Sequence, residues 1–232
     1  MATTTSSRKE IVNNDVDRTR LLLVCGVVAG PLFIGVSLIQ ALTRQGFDLT
    51  RHAISLLLLG NLGWIQFTNF LGTGLLAVAA AIGMWRLLHP GQGGTWGSLL
   101  VGVYGVGLIT AGVFTPDPQF GFPPGSPEGI SSAGSGHATL HYLAFFALVL
   151  SLVAACFVFA RRFASLRQWG WVAYCVATGL GAPALLILGI GLSSSASGGL
   201  PLLGVATTTS AWLTIVSMQL LAEYRVGLGR SR

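Results

Sequence analysis

The sequence predicts an all-α fold, a six-transmembrane-helix bundle with both termini cytoplasmic. Three observations predict it. Six stretches, 21–43, 62–85, 96–114, 140–160, 169–191 and 202–222, hold no Asp, Glu, Lys or Arg, and about 20 helical residues cross a bilayer core. Charged residues make up 9% of the chain and hydrophobic ones 52%, against about 25% charged in a soluble domain. Eleven of the thirteen Lys and Arg lie on the two termini and the second and fourth connections, two lie on the first connection, and none lies on the third or fifth. The positive-inside rule then places the termini with loops 2 and 4 in the cytoplasm, and loops 1, 3 and 5 outside. The implied location is the plasma (inner) membrane.

The domains follow. Residues 1–20 are a cytoplasmic tail expected to be disordered, 21–224 a single membrane domain, and 225–232 a basic cytoplasmic tail. The net charge of +6 is explained by topology. No basic stripe interleaved with aromatics exists, which argues against nucleic acid and leaves the lipid bilayer as the partner.

Span 1 follows a mixed-charge tail. Its apolar run is too long for a signal-peptide core and lacks a small-residue cleavage site, so it is expected to remain as an anchor. Pro31, like Pro183 in span 5, is expected to kink its helix. Gly26 and Gly30, and the glycines of span 3, suit close helix approach, because lipid gives apolar helices no hydrophobic drive to associate. Cys25, Cys156 and Cys175 all lie in spans and read as apolar packing. Trp64, Trp85, Trp96, Trp169 and Trp171 fall near span ends, where indoles prefer the headgroup region. Trp212 falls mid-span and is expected to pack against other helices.

Loop 1 reads GFDLTRHAISLLLLGN (46–61). If 49–59 is a short interfacial helix, Asp48, Arg51, His52 and Ser55 share one face, with Asp48 accepting a hydrogen bond from His52. Gln66, Asn69 and Thr73 form a stripe in span 2. With Gln40 of span 1 they are expected to line the floor of an outward-facing polar pocket, or to hydrogen-bond between helices. Loop 3 begins TPDPQFGFPPGSPEG, whose prolines and glycines predict an irregular loop with fixed turns; Asp117 sits in its PDP turn. His137 and His141 stand one helical turn apart where span 4 begins.

Three His and two Asp thus map to one side of the membrane, and intramembrane or membrane-level ionisable groups are functional candidates. Two imidazoles at i and i+4 can grip one metal ion. One reading is therefore a metal-dependent hydrolase at the outer leaflet. His52, His137 and His141 would bind zinc with Asp117, Asp48 or Asp117 would act as base, and Ser55 or Arg51 would stabilise an oxyanion. Each feature has a plainer reading: an ion-pair cluster that anchors loop 1, a turn-forming Asp117, and amides that join helices. Other functions remain open: a transporter, a small-molecule or lipid-binding membrane protein, or a non-catalytic accessory subunit. A haem held by His52 and His141 ranks last, since such ligation needs two His deep on facing helices.

The strings GFDLTRHAISLLLLGNLGWIQFTNF (46–70), GVFTPDPQFGFPPG (112–125) and SGHATLH (135–141) resemble a bacterial and archaeal membrane family catalogued as domain of unknown function 998. The resemblance runs from about span 1 to span 6. It implies that Asp48, His52, Ser55, Trp64, Asn69, Asp117, Pro118, Gly121, Pro123, His137 and His141 occupy the family's motif positions, and it implies no activity. The inventory of Ser55, His52, Asp117, His137 and His141 is also similar in kind to that of seven-helix zinc hydrolases of the ceramidase and adiponectin-receptor type. The number of spans and the His spacing differ.

Overall fold

The computed structural model describes residues 2–130 and 134–230, with side chains for 17–130 and 134–226. The described residues form six α-helices: α1 (Ala2–Thr43), α2 (Gly63–Leu88), α3 (Trp96–Val113), α4 (Gly136–Ser165), α5 (Trp169–Ser193) and α6 (Gly199–Arg230). Each contains a segment long and apolar enough to cross a membrane. The backbone of 2–20, expected to be disordered, continues α1 towards its N-terminus. Loop 1 differs from expectation too: in place of a helix over 49–59, it holds a single 3-10 helix, Ile54–Leu58. The Asp48 carboxylate accepts from the Thr50 N–H (2.8 Å) and the Thr50 hydroxyl (2.7 Å) and opens a single turn, which the extended backbone of Ala53 (φ −65°, ψ 142°) separates from the 3-10 helix.

The helices pack in chain order, α1 on α2 through to α5 on α6, and α6 returns to α1 to close a ring. Missing side chains allow the tight seams. A Cβ on Gly105 would lie 2.8 Å from the Gly74 carbonyl oxygen, which brings α3 against α2. Gly26 and Gly30 of α1 press on Ser217 and Ser210 of α6 in the same way. Pro31 and Pro183 both lie inside helices. Trp212 is fully buried, edge-on to Phe159, with its indole N–H directed at the Cys175 sulfur. Trp64, Trp85, Trp96 and Trp169 are exposed near helix ends, as interfacial anchors would be.

One end of the ring carries the connections 44–62, 114–130 with 134–135, and 194–198, the first holding Asp48, Arg51, His52 and Ser55 and the second Asp117. It is called the loop end below. The opposite end carries the short turns 89–95 and 166–168. There Arg162 of α4 pairs with Glu223 of α6 at 2.8 Å.

Candidate functional site

The loop end is a lid built from loops 1 and 3. His52 is its pin. The Asp48 backbone N–H points at His52 Nδ1 (2.9 Å), so that nitrogen must accept; Nε2 lies 2.9 Å from the Phe120 carbonyl, so it must donate. Both ring nitrogens are thereby used, and the imidazole is the Nε2–H tautomer. The expected hydrogen bond from His52 to the Asp48 carboxylate is not made. The carbonyl that His52 holds belongs to a residue at φ 56°, a left-handed conformation uncommon for an aromatic side chain. Phe122 then packs against Phe47 (5.1 Å between centroids) and His52 (5.5 Å), with the Arg44 guanidinium over its ring. Arg44 also donates to the carbonyls of Leu57 and Leu59. On the rim, Arg51 and Glu128 form an ion pair at 3.1 Å.

Asp117 serves the start of α4. Its carboxylate accepts the Ser135 N–H at 2.8 Å, and the Ser135 hydroxyl in turn caps α4 by accepting from Ala138 N–H, as N-cap serines do. The Ser135 hydroxyl first, then its N–H, hold the Asp117 carboxyl below the usual carboxylate range. Asp48 is held low as well, chiefly by the Thr50 hydroxyl and then by the Thr50 N–H.

The amide stripe is interhelical and lies behind the site. Gln40 Nε2 donates to Gln66 Oε1 (2.6 Å), Gln66 Nε2 to Ser37 Oγ (2.9 Å), and Asn69 Nδ2 to the Phe33 carbonyl (3.0 Å). This network ties α1 to α2 beneath the 3-10 helix, whose Ile54 carbonyl accepts from Gln66. Gln40, Gln66 and Asn69 are not among the residues that line the cavity described next; their hydrogen bonds match the alternative reading, amides that join helices.

Inside the ring and under the lid is a cavity of about 310 Å³ to which all six helices contribute. That is at the small end of the range for ligand sites. Its walls are apolar, including the edge-on pair Phe33–Phe70, Leu108, Leu148 and Val205. On α4 it runs from His141 to Val149, about 12 Å of helix at 1.5 Å per residue. Polar groups gather at the two ends. At the loop end stand Arg51, Ser55, Gln119, His141 and Tyr142; at the deep end, Tyr104 and Thr209.

His141 is the buried polar group of the mouth, 2% exposed. Its Nδ1 lies 2.8 Å from both the Ala111 and Phe114 carbonyls. These are among the carbonyls that the end of α3 leaves without helical partners. Nδ1 therefore carries the hydrogen and donates, leaving the Nε2 lone pair with no hydrogen-bond partner among the described residues. The zinc expectation finds no support in this arrangement. His52 has no lone pair to spare, His137 is exposed with its ring against Phe114, and Asp117 is committed to Ser135. Among the described residues, no group of three or more His, Cys, Asp or Glu could hold a metal ion. Sequence reading missed the cavity itself, because its walls carry only core-type residues.

The motif strings that raised the family resemblance thus fold into one lid and one cavity mouth. A family described as protein of unknown function (DUF998) matches residues 27–219. The chain belongs to this DUF998 family. No curated protein and no solved structure matches it. The matched DUF998 region takes in the lid, all of the cavity lining, and nearly all of the six-helix ring.

Proposed function

We propose that this DUF998 protein binds a membrane-borne, single-chain lipid with an acidic headgroup. The observation that carries the proposal is the cavity: an apolar chamber within the membrane-spanning ring whose mouth holds a guanidinium and several hydrogen-bonding groups. A lipid chain would fill the chamber; moving from bilayer hydrocarbon to apolar walls it gains no hydrophobic energy, so selection falls to the mouth. Its headgroup would meet Arg51, whose planar fork suits carboxylate and phosphate. Glu128 holds Arg51 in an exposed pair, and such pairs are worth at most about 1 kcal/mol. A ligand anion can therefore replace it at little cost. Ser55, Gln119 and the Tyr142 hydroxyl supply further hydrogen bonds, and His141 Nε2 accepts one from a hydroxyl or a protonated acid.

The distribution of Lys and Arg supports an orientation with both termini cytoplasmic, so the mouth opens towards the outer leaflet of the plasma membrane. Asp48 and Asp117 shape the lid and the start of α4, and no catalytic step is assigned to them. Equilibrium binding of a fluorescent long-chain fatty acid to protein in nanodiscs tests the proposal. The expected result is saturable binding, weakened about tenfold by Arg51→Gln, with little change for a fatty alcohol of equal chain length; tenfold corresponds to about 1.4 kcal/mol. Equal loss for acid and alcohol would contradict the role of Arg51, and absence of saturable binding would contradict the proposal.

A further inference from the structure

The seams of the helix ring are not equally closed near the loop end. α1 and α2 are joined there by Gln40 and Gln66. Phe70 of α2 presses on Gly112 of α3, and Leu148 of α4 on Gly107 of α3. Leu202 of α6 fills the space beside Gly189 of α5, and Ser210 of α6 abuts Gly30 of α1. The seam between α4 and α5 differs. It is tight in the other half of the ring, where Phe157 and Cys156 of α4 sit against Gly179 of α5. Towards the loop end it parts.

Exposure of the cavity-lining side chains records the parting. On α4, Val149 is 1% exposed, whereas Phe146 and Tyr142 are each 40% exposed; on α5, Leu186 is 8% exposed and Ile190 50%. All five line the cavity. Side chains that face the cavity and the molecular surface at once mark an opening in the wall. Tyr142, Phe146 and Ile190 lie within membrane-spanning segments, so this opening faces lipid.

We propose that the occupant enters and leaves sideways, from the bilayer through the α4–α5 seam, an inference that rests on the binding role given above. The lid favours this route over one through the aqueous end. His52 and Phe122 fasten loop 3 to loop 1 above the mouth, whereas Phe146 and Ile190 meet only weakly cohesive lipid tails. A lipid on this path keeps its chain in hydrocarbon throughout. Its acidic headgroup slides at interfacial depth past Tyr142 to reach Arg51. The occupant is thus a leaflet lipid and not a solute from water.

Cross-linking across the seam tests the route. Phe146→Cys and Ile190→Cys are placed in protein whose Cys25, Cys156 and Cys175 are Ala, joined with a short bismaleimide, and assayed in nanodiscs for exchange of the fluorescent fatty acid. Cross-linking is expected to slow association and release by about tenfold or more, a barrier increase of at least about 1.4 kcal/mol. The same protein without reagent supplies the reference rate. A control pair at the closed end, Phe157→Cys with Leu180→Cys, should exchange at the uncross-linked rate. If the first pair does not fold, Phe146→Cys with Ser193→Cys spans the same opening. Unchanged exchange after complete cross-linking, with binding still saturable, overturns the lateral route and leaves the binding role standing. No saturable binding even without reagent overturns both.

Discussion

His52 shows how much of the lid depends on one side chain. It accepts from Asp48 N–H and donates to the Phe120 carbonyl while 2% exposed, so His52→Ala leaves a part-buried donor and a buried acceptor without their partner. Each such orphan costs about 1–3 kcal/mol. The expected outcome is lower thermal stability with faster amide exchange confined to the neighbourhood of 47–52 and 119–125; exchange at the wild-type rate there would contradict the pin. A His-to-carboxylate pair is what spacing alone suggests for this loop. The actual partner is a carbonyl 68 residues away, and a sequence does not record which backbone group a ring nitrogen will find. Asp48 and Asp117 give a pH dependence whose sign is determined. Both carboxyls are held below their ordinary values by serine or threonine donors, so the folded state binds those protons less readily than the unfolded chain. Their contribution is complete above the unfolded value near 4 and is lost as pH falls through the lower folded values. Melting temperatures are expected to be insensitive to these groups from about pH 5 to 8. In acid, wild type should lose more stability than Asp117→Asn; equal acid sensitivity would contradict the capping role.

The helices were legible because their signal is long and composed of omissions. A run such as 96–114 without a charge reads as a span wherever its neighbours lie, and the helix Trp96–Val113 matches it closely. The glycines in those runs also carried their meaning, since only a small residue permits the approach of α2 to α3. Gly74→Ala is expected to destabilise the bundle by about 1–3 kcal/mol, because the new methyl would lie 2.7 Å from the Gly105 carbonyl oxygen. An unchanged melting curve in detergent would contradict that packing. At the opposite end of the ring, Arg162 and Glu223 join α4 to α6 with both side chains largely covered. Glu223→Gln should cost about 2 kcal/mol as the charge-assisted bond is lost, and the Arg162→Gln/Glu223→Gln pair should recover part of it. Loop 1 was less legible than the helices. Its leucine run suggests a helix, but extended backbone at Ala53 and Leu59 limits regular structure to Ile54–Leu58.

For the whole molecule, an apolar chamber has no signature of its own in a sequence. Phe33, Leu108 and Val205 look the same whether they face another side chain or a space of about 310 Å³; only the closed ring of six helices distinguishes the two. Of the polar residues at the mouth, Arg51, Ser55 and His141 stand out in the sequence, whereas Gln119 and Tyr142 do not; the three histidines suggested a metal centre, because residue type is visible in sequence and lone-pair commitment is not. Orientation is a separate test. In intact cells, a membrane-impermeant thiol reagent is expected to label Ser195→Cys and not Gln92→Cys; the opposite pattern would place the mouth in the cytoplasm. The most direct measurement of the central claim is native mass spectrometry of the protein released from nanodiscs formed without detergent exchange. One bound single-chain acidic lipid per protein is predicted. Val205→Trp, which fills the chamber, should abolish it while the protein stays folded. Retention of the same lipid by Val205→Trp, or wild-type protein free of lipid, would contradict the account.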